Sequence, residues 1–242
     1  MRLTRVFVEE PLSAGQSCNL QGSAANHIMR VLRLRDGDAL TLFDGRGGEY
    51  GARIAGFRKD SVQVEVQEHR DVERESALTL TLAQGISRGE RMDWVMQKAT
   101  ELGVTRIIPV ITERTMVKLD ERQSERKIEH WRGIVIAACE QSGRNRVPEI
   151  AAPCAYYEVI RALDAAATRV LLSPNGTLRA RDLVQSGHIA MLIGPEGGLS
   201  DNEQEAAISA GFQQVRMGPR ILRTETAAIA ALAALQHDFG DI

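Results

Sequence analysis

Two patterns of hydrophobic and polar residues divide the chain. Before residue 70, apolar residues occur in short runs, and Val62, Val64 and Val66 alternate with polar residues so that they share one face of a strand. Turn signals rich in glycine and aspartate separate these runs, and helical spacing occurs at 25–32. This pattern predicts a small β-barrel with one short helix.

Beyond residue 77, apolar strands alternate with amphipathic helices. Strands are predicted at 78–82, 106–111, 170–173, 189–193 and 214–217, and helices at 90–102, 121–138, 156–166, 203–210 and 226–236. This alternation is typical of an α/β fold in which helices cover a mostly parallel sheet. The charged segment 69–76 lies between the two patterns, so we expect one domain at 1–70 and a second at 77–242.

Composition and charge narrow the classes of protein. The 242 residues are 43% hydrophobic and 26% charged, as in ordinary globular proteins. The formal net charge of -2 gives a polyanion no bulk attraction, so nucleic-acid binding would need a local basic cluster. Three widely spaced cysteines, the absence of an apolar leader and the lack of ~20 consecutive apolar residues predict a cytoplasmic protein without a membrane segment.

Several common site motifs are absent from the sequence. It has no P-loop, and no G-x-G-x-x-G follows a strand, which makes a nucleotide-dependent dehydrogenase a poor candidate. Histidine, cysteine and carboxylate spacings do not indicate a metal site, and we expect none.

The segment IGPEGGLS at 193–200 joins a predicted strand to a predicted helix. Glycines at this position allow a ligand to approach the backbone, and the amides at the helix N-terminus add donors. Ser200 and Glu203 have the spacing of a capping box. The segment therefore predicts a ligand site, although a plain turn would also use glycine.

A second strand-to-helix segment, MGPRILRTET at 217–226, combines charged and small residues. Arg220, Arg223 and Glu225 cluster there without an amphipathic reason, which indicates either a functional site or a solvated turn. The alanine-rich helix that follows predicts close packing within the chain or against a second subunit.

Two further clusters are basic. His27, Arg30 and Arg33 share one face of the predicted short helix, which is either an RNA contact or a solvated surface. Arg144 and Arg146 follow the end of a long helix, where they would contact phosphate or complement the helix dipole.

Five stretches together resemble the family of bacterial small-subunit ribosomal RNA uridine-N3 methyltransferases. They are NHIMRVLRLRDGD, QGISRGERMDWVMQKATELGV, AACEQSGRNRVPEI, IGPEGGLSDNE and MGPRILRTETAAIAAL. The resemblance implies an N-terminal PUA-like β-barrel and a C-terminal SPOUT domain with a trefoil knot. It also implies a homodimer that uses S-adenosyl-L-methionine and acts on ribosomal RNA or the small ribosomal subunit.

The same resemblance implies specific site residues. The cofactor would contact Leu172, Ser173, Gly194, Glu196, Gly197, Gly198, Met217, Gly218, Ile221, Leu222 and Thr224. From the basic residues themselves, we expect RNA to contact His27, Arg30, Arg33, Arg88, Arg144, Arg146 and Arg223. Because uracil N3 carries a proton at neutral pH, we hypothesise that Arg220 stabilises the uridine anion and that Glu225 or Glu140 is the base.

Two alternatives stay open at this point. Another SPOUT methyltransferase, acting on a ribose 2′-hydroxyl or on tRNA, would carry similar segments. An RNA-binding assembly factor that does not catalyse methyl transfer would carry them too.

Overall fold

Contacts group the chain into two units whose boundary is crossed more than once. The computed structural model describes residues 4–116, 120–163, 168–183 and 187–242. The first unit consists of Met1–Glu75 with Cys139–Val147, and the second of Ser76–Ala138 with Pro148–Ile242.

From residue 4 onward, the described part of the first unit contains a mixed sheet of five strands. They are β1 Arg5–Phe7, β2 Ser17–Leu20, β3 Ala39–Phe43, β4 Glu49–Phe57 and β5 Val62–Arg70. Their order is β1-β3-β4-β5-β2, in which β1 and β3 are parallel and the other pairs are antiparallel. The alternating valines of β5 are buried as predicted, whereas β2 and β4 were not predicted. Glycines and two register shifts interrupt the alternation of β4.

The predicted helix at 25–32 is present but changes type along its length. Helix α1, Gly22–Asn26, continues as a π-helix at His27–Leu32. Ile28 is completely buried in the core of the unit and Leu32 packs partly against it, but Val31, which has the same apolar spacing, is 67% exposed. The spacing therefore identified the inward face only in part. Arg33 then ends the helix with a φ of 51°, in the left-handed region.

The segment Cys139–Val147 groups with the first unit, although the sequence interpretation placed it inside the continuous domain 77–242. Polar contacts explain this grouping. The guanidinium of Arg5 donates to the Asn145 Oδ1 atom at 2.6 Å and to the Arg144 carbonyl at 3.2 Å. Asn145 in turn donates from Nδ2 to the Val72 carbonyl at 2.6 Å.

Among the residues described, the second unit contains seven parallel strands and five helices, of which α3 continues into the first unit. The strands are β6 Thr79–Gly85, β7 Arg106–Ile111, β8 Glu149–Ile150, β9 Cys154–Ala155, β10 Thr168–Leu172, β11 His188–Ile193 and β12 Gln213–Val215. The helices are α2 Glu90–Glu101, α3 Glu121–Ser142, α4 Tyr156–Ala162, α5 Asp201–Ser209 and α6 Thr224–Phe239, with a 3₁₀ turn at Ala180–Asp182. Every longer predicted strand and helix is thus confirmed, except that residues 164–166 of the fourth predicted helix lie outside the described residues.

The parallel pairing aligns four strand ends at one edge of the sheet. The order is β12-β10-β11-β6-β7-β8, and β9 also pairs with β7. Leu172 pairs with Val215, and Ile193 pairs with Gln84, so β10, β12, β11 and β6 finish at nearly the same level. The segments that follow these strands therefore lie side by side, which is where open α/β sheets bind ligands.

Helix α6 packs against α2. Its inward face is made of small and aliphatic residues, including Ala228, Ala231, Leu232 and Leu235, which permit close approach. No helix within the described ranges has both the length and the apolar character that a membrane crossing requires.

Candidate active site

A cavity of about 560 Å³ opens at the aligned strand ends of the second unit. The segments that follow β10, β11 and β12, together with the first turn of α6, form most of its wall. Its aliphatic lining comprises Leu171, Leu172, Ile193, Leu199, Ile221 and Leu222. Its charged lining comprises Arg91, Arg114, Arg216, Arg220, Arg223, Glu196 and Glu225. The cavity thus combines apolar walls with a rim that is mostly cationic.

Glycine is required where the walls meet. A Cβ atom on Gly194 would lie 3.0 Å from the Gly198 carbonyl carbon and from the Leu199 nitrogen. A Cβ on Gly85, at the end of β6, would overlap the backbone nitrogen of Pro195. The loop after β11 therefore packs backbone to backbone against β6, a contact that the sequence did not predict.

Thr224 connects three of the segments around the cavity. Its Oγ1 atom donates to the Gly194 carbonyl at 2.7 Å and accepts from Gln84 Nε2 at 2.9 Å. Because β12 is at the edge of the sheet and Gln84 is in β6, the intervening segment 216–223 crosses the ends of β10 and β11. This crossing explains why the two predicted loops share a cavity.

Glu196 holds the loop 194–200 to the start of α2. Its Oε1 atom accepts from the Arg88 amide and from Arg91 Nη1, both at 2.8 Å. Burial by itself would raise the pKa of this carboxyl group, but these donors outweigh it and the pKa is lowered. Glu196 is thus held as a carboxylate beside the cavity.

The cap of α5 supports the same loop from its other side. Glu203 is completely buried and accepts from the Ser200 amide and the Glu113 amide, each at 2.9 Å. Ser200 Oγ accepts from the Glu203 amide at 3.2 Å, which confirms the predicted capping box. Next to Glu113, Arg114 donates from Nη1 to the Gly197 carbonyl at 3.0 Å.

All but two of the predicted cofactor residues line the cavity. Those that line it are Leu172, Ser173, Gly194, Glu196, Gly198, Met217, Ile221, Leu222 and Thr224. Gly197 and Gly218 are not among the lining residues. The α-carbon of Gly197 faces Arg114, and Gly218 is a turn residue with a φ of 79°. These two glycines shape the loops that carry the lining residues.

The three predicted catalytic residues are not all at the cavity. Arg220 and Glu225 line it, together with Arg223. Glu140 belongs to the first unit, where its Oε1 atom accepts from the Phe7 amide at 3.1 Å and its Oε2 atom lies 3.8 Å from His27 Nε2. Burial raises the pKa of the Glu140 carboxyl group, and the Phe7 amide and His27 oppose this effect.

The residues predicted to contact RNA differ in exposure. Arg30 and Arg33 are exposed on the π-helix and its end, and His27 beside them is half-buried. Arg146 is exposed and pairs with Glu73 at 2.9 Å.

Arg144 is different from the other arginines of this set, because it is only 4% exposed and pairs with Glu75. This placement gives Arg144 a structural contact, and its contact with RNA stays a prediction. Arg88 is exposed, and its amide is used by Glu196.

Several lining residues were missed in the sequence. Pro174 and Asn175 lie in the loop just after β10, and the glycine that follows them is a signal of another strand-end loop. Arg91 and Arg114 were not predicted, since no local pattern shows that they reach the loop 194–200. Within the described residues, histidine, cysteine and carboxylate side chains form no group that could hold a metal.

Comparison with known proteins identifies the family. The RNA methyltransferase domain family matches residues 74–236, and the RNA methyltransferase PUA domain family matches residues 20–67. The ribosomal RNA small subunit methyltransferase E of Buchnera aphidicola subsp. Schizaphis graminum is 34% identical over the whole of this chain and 98% of its own length. Its namesake in Bacillus subtilis is 30% identical, over 97% of this chain and 96% of its own.

Two solved structures are similar over nearly their full lengths. A putative methyltransferase from Legionella pneumophila in complex with S-adenosylmethionine has a TM-score of 0.97 and 42% identity, with 100% of both chains covered. The ribosomal RNA small subunit methyltransferase E of Neisseria gonorrhoeae, bound to S-adenosylmethionine, has a TM-score of 0.90 and 41% identity, with 99% of both covered. The predicted fold class, a SPOUT domain beside a PUA-like domain, is confirmed, and the chain belongs to the ribosomal RNA small subunit methyltransferase E family.

Proposed function

We propose that this chain transfers a methyl group from S-adenosyl-L-methionine to N3 of a uridine in small-subunit ribosomal RNA. The names of its relatives support the RNA substrate, and the Legionella and Neisseria structures support the methyl donor. The main support for the proposal is that the loops after β10, β11 and β12 line one shared cavity.

The cavity fits the proposed cofactor. Its volume of about 560 Å³ lies within the usual range of ligand pockets. Leu172, Ile193 and Leu222 supply flat apolar walls for an adenine ring, and the glycine-bearing backbone around Gly194 supplies donors and acceptors for its edge. When bound, S-adenosylmethionine supplies a methyl group that its sulfonium already activates. The protein has then to position the acceptor in line, to remove a proton and to exclude water.

Two arginines at the cavity suit the charge that develops on uridine. When N3 loses its proton, negative charge spreads over the adjacent carbonyl oxygens. Arg220 and Arg223 line the cavity, so their guanidinium groups can stabilise this charge or hold a flanking phosphate. The proton acceptor is a carboxylate, for which Glu225 and Glu140 are the candidates.

RNA would be held mainly by local clusters, since the net charge of the chain is -2. The first unit offers Arg30 and Arg33 with His27 beside them, and Arg88 and Arg146 are also exposed. These side chains would contact phosphates and set the register of the RNA, while the cavity selects the base. The target uridine has to be unpaired or flipped out to reach the cavity.

We also propose that the protein is a homodimer that acts in the cytoplasm. Ile221 is 85% exposed although it lines the cavity, and Trp94 on α2 is 58% exposed. A second subunit that covers these apolar side chains would also close the cavity to water. Light scattering in solution tests this proposal, and twice the chain mass of 26.6 kDa is expected.

The test of the function uses small ribosomal subunits and S-adenosylmethionine labelled in its methyl group. The proposal expects label in N3-methyluridine at one position, located by digestion and mass spectrometry. Methylation of a ribose hydroxyl or of tRNA would instead indicate a different SPOUT target. An absence of cofactor binding, to the free protein and to its RNA complex alike, would favour an assembly factor.

The variant Arg220→Ala tests the assigned cation. Methyl transfer should fall by about 100-fold or more, by analogy with the loss of one oxyanion donor. Cofactor affinity, measured by calorimetry, should be retained. Unchanged turnover would remove Arg220 from the mechanism.

A further inference from the structure

Arg91 lies between two carboxylates at the cavity, and the proposed function gives it no role. It lies in the first turn of α2 and lines the cavity. Its Nη1 atom donates to Glu196 Oε1 at 2.8 Å, and its Nε atom lies 3.9 Å from Glu225 Oε1. One guanidinium group therefore faces two carboxylates that come from different loops, one after β11 and one at the start of α6.

Glu225 has one oxygen atom that is left over. Its Oε1 atom faces Arg91, but its Oε2 atom is buried and has no hydrogen-bond donor among the described residues. A buried carboxylate oxygen without a donor is unfavourable, so it marks a place where a ligand can supply the donor. Glu225 itself lines the cavity, so a ligand there can supply this donor once the carboxylate turns toward it.

Glu140, the other candidate base, has no such free oxygen. One of its oxygen atoms accepts from the Phe7 amide, and the other faces His27. All of these contacts are within the first unit, whereas Arg220 and Arg223 line the cavity of the second. The surroundings of Glu140 therefore favour a structural role.

We propose that Glu225 is the base that takes the N3 proton of uridine, and that Arg91 is a positioning residue that holds Glu225 for this step. The proposal rests on the proposed function and names the groups that carry out its proton transfer. The N3–H bond breaks and the proton moves to Glu225 Oε2. The electron pair left on N3 forms the new bond to the methyl carbon, and the carbon–sulfur bond breaks with its electrons going to sulfur.

The geometry of Arg91 gives it a task that a lysine would not perform. It reaches Glu196 and Glu225 through two different nitrogen atoms of a planar group. A lysine ammonium is a single point charge and would face only one of the two carboxylates well. Without the guanidinium between them, Glu225 would be free to turn away from the cavity.

The decisive variant for the base is Glu225→Gln, which keeps the shape of the side chain. At neutral pH its kcat should fall by about 100-fold, within the usual range for loss of a general base. The difference in kcat between the variant and wild type should become smaller as the pH is raised toward the range in which N3 loses its proton to solvent. A structural role would give a deficit that does not change with pH. Glu205→Gln, an exposed carboxylate on α5, is the matched control and should behave as wild type.

The decisive variants for Arg91 are Arg91→Lys and Arg91→Ala. Both should lower kcat, by up to about 100-fold, because small misplacements of a reacting group have effects of that size. In a Glu225→Gln background, Arg91→Ala should add little further loss of kcat, because both residues act in one step. Lys98→Gln, which removes an ion pair with Glu101 at the other end of α2, is the control.

The outcomes separate this proposal from the proposed function. If the wild-type protein labels N3 of uridine but Glu225→Gln keeps its rate, the base assignment is overturned while the function stands. The base assignment is also overturned if Glu225→Gln mainly weakens cofactor binding, because Oε2 would then bind the cofactor. The double variant of Arg91→Ala and Glu225→Gln gives a further test. If its loss of kcat equals the product of the two single losses, Arg91 does not act through Glu225. If the wild-type protein does not label N3, the proposed function itself fails.

Discussion

At the scale of single residues, the cavity depends on positions where a side chain does not fit. Gly85 and Gly194 bring the end of β6 and the loop after β11 into backbone contact. Thr224 then fastens the start of α6 to both strands through two hydrogen bonds. The resemblance implied that Gly194 and Thr224 contact the cofactor, and both line the cavity. The sequence did not predict Gly85, because nothing local shows that Pro195 lies beside it.

Gly85→Ala should disturb the cofactor site directly. The new methyl group would overlap the Pro195 nitrogen, so the loop 194–200 has to move, at a cost of about 1–3 kcal/mol in unfolding free energy. Calorimetry should show weakened binding of S-adenosylmethionine. Gly56→Ala, in a strand position with no atom within 4 Å of the new methyl group, is the control. Equal cofactor affinity in the two variants would contradict the conclusion that the close contact between Gly85 and Pro195 shapes the cofactor site.

Thr224→Val should test the hydrogen bonds between segments. Valine keeps the shape but removes the closest acceptor of Gln84 Nε2 and the closer of the two donors to the Gly194 carbonyl. Urea unfolding should show a loss of about 1–3 kcal/mol, the usual effect of leaving buried polar groups unpaired. Thr224→Ser keeps the hydroxyl group and should retain most of the stability. A valine variant as stable as wild type would show that these bonds contribute little.

At the scale of elements, apolar periodicity identified nearly every long helix and strand. Strand β7 and helix α2 were predicted to within a residue, because their buried faces are regular. The two-residue strands β8 and β9 escaped prediction, since so short a run has no periodicity. The change from α1 to a π-helix also has no signal in the pattern of apolar residues.

Helix α3 contains an exposed glycine that weakens it. Gly133 lies in the middle of Glu121–Ser142, and no atom lies within 4 Å of a methyl group added there. Gly133→Ala should therefore raise the unfolding free energy by about 0.5–1 kcal/mol. Thermal unfolding measures this effect, and methyl transfer should stay at the wild-type level. A lowered melting temperature would mean that the exposed face of α3 has a packing role.

At the scale of the whole molecule, the sequence predicted two domains but not how the chain divides between them. The segment Cys139–Val147 joins the first unit because Arg5, Asn145 and Val72 bond to one another across long sequence separations. Periodicity carries no information on such contacts. The strand order was likewise not predicted, and the trefoil knot was inferred from the resemblance alone, since topology rules argue against threaded chains.

A buried ion pair in the first unit gives a test of stability against pH. Glu49 Oε2 accepts from Arg5 at 2.5 Å and from Arg74 at 3.1 Å. Burial would raise the pKa of the Glu49 carboxyl group, but the two arginines outweigh it and the folded pKa lies below its ordinary value of 4.5. The carboxylate therefore stabilises the fold above that pH, and this contribution is lost as the pH falls through the folded pKa.

Glu49→Gln should consequently lower the unfolding free energy at neutral pH by about 3 kcal/mol, since it leaves Arg5 buried without its partner. The difference from wild type should shrink in acid, as the wild-type carboxylate takes up a proton. Urea unfolding over a pH series measures both effects. A difference that is constant across the series would mean that the charge of Glu49 does not matter.

The most direct measurement is a crystal structure of the protein soaked with S-adenosylmethionine. We expect the adenosine group in the cavity between the loops after β10, β11 and β12, with the methyl group pointing toward Arg220 and Glu225. A cofactor bound elsewhere, or a cavity that stays filled by its own side chains, would contradict the assignment of these loops as the active site.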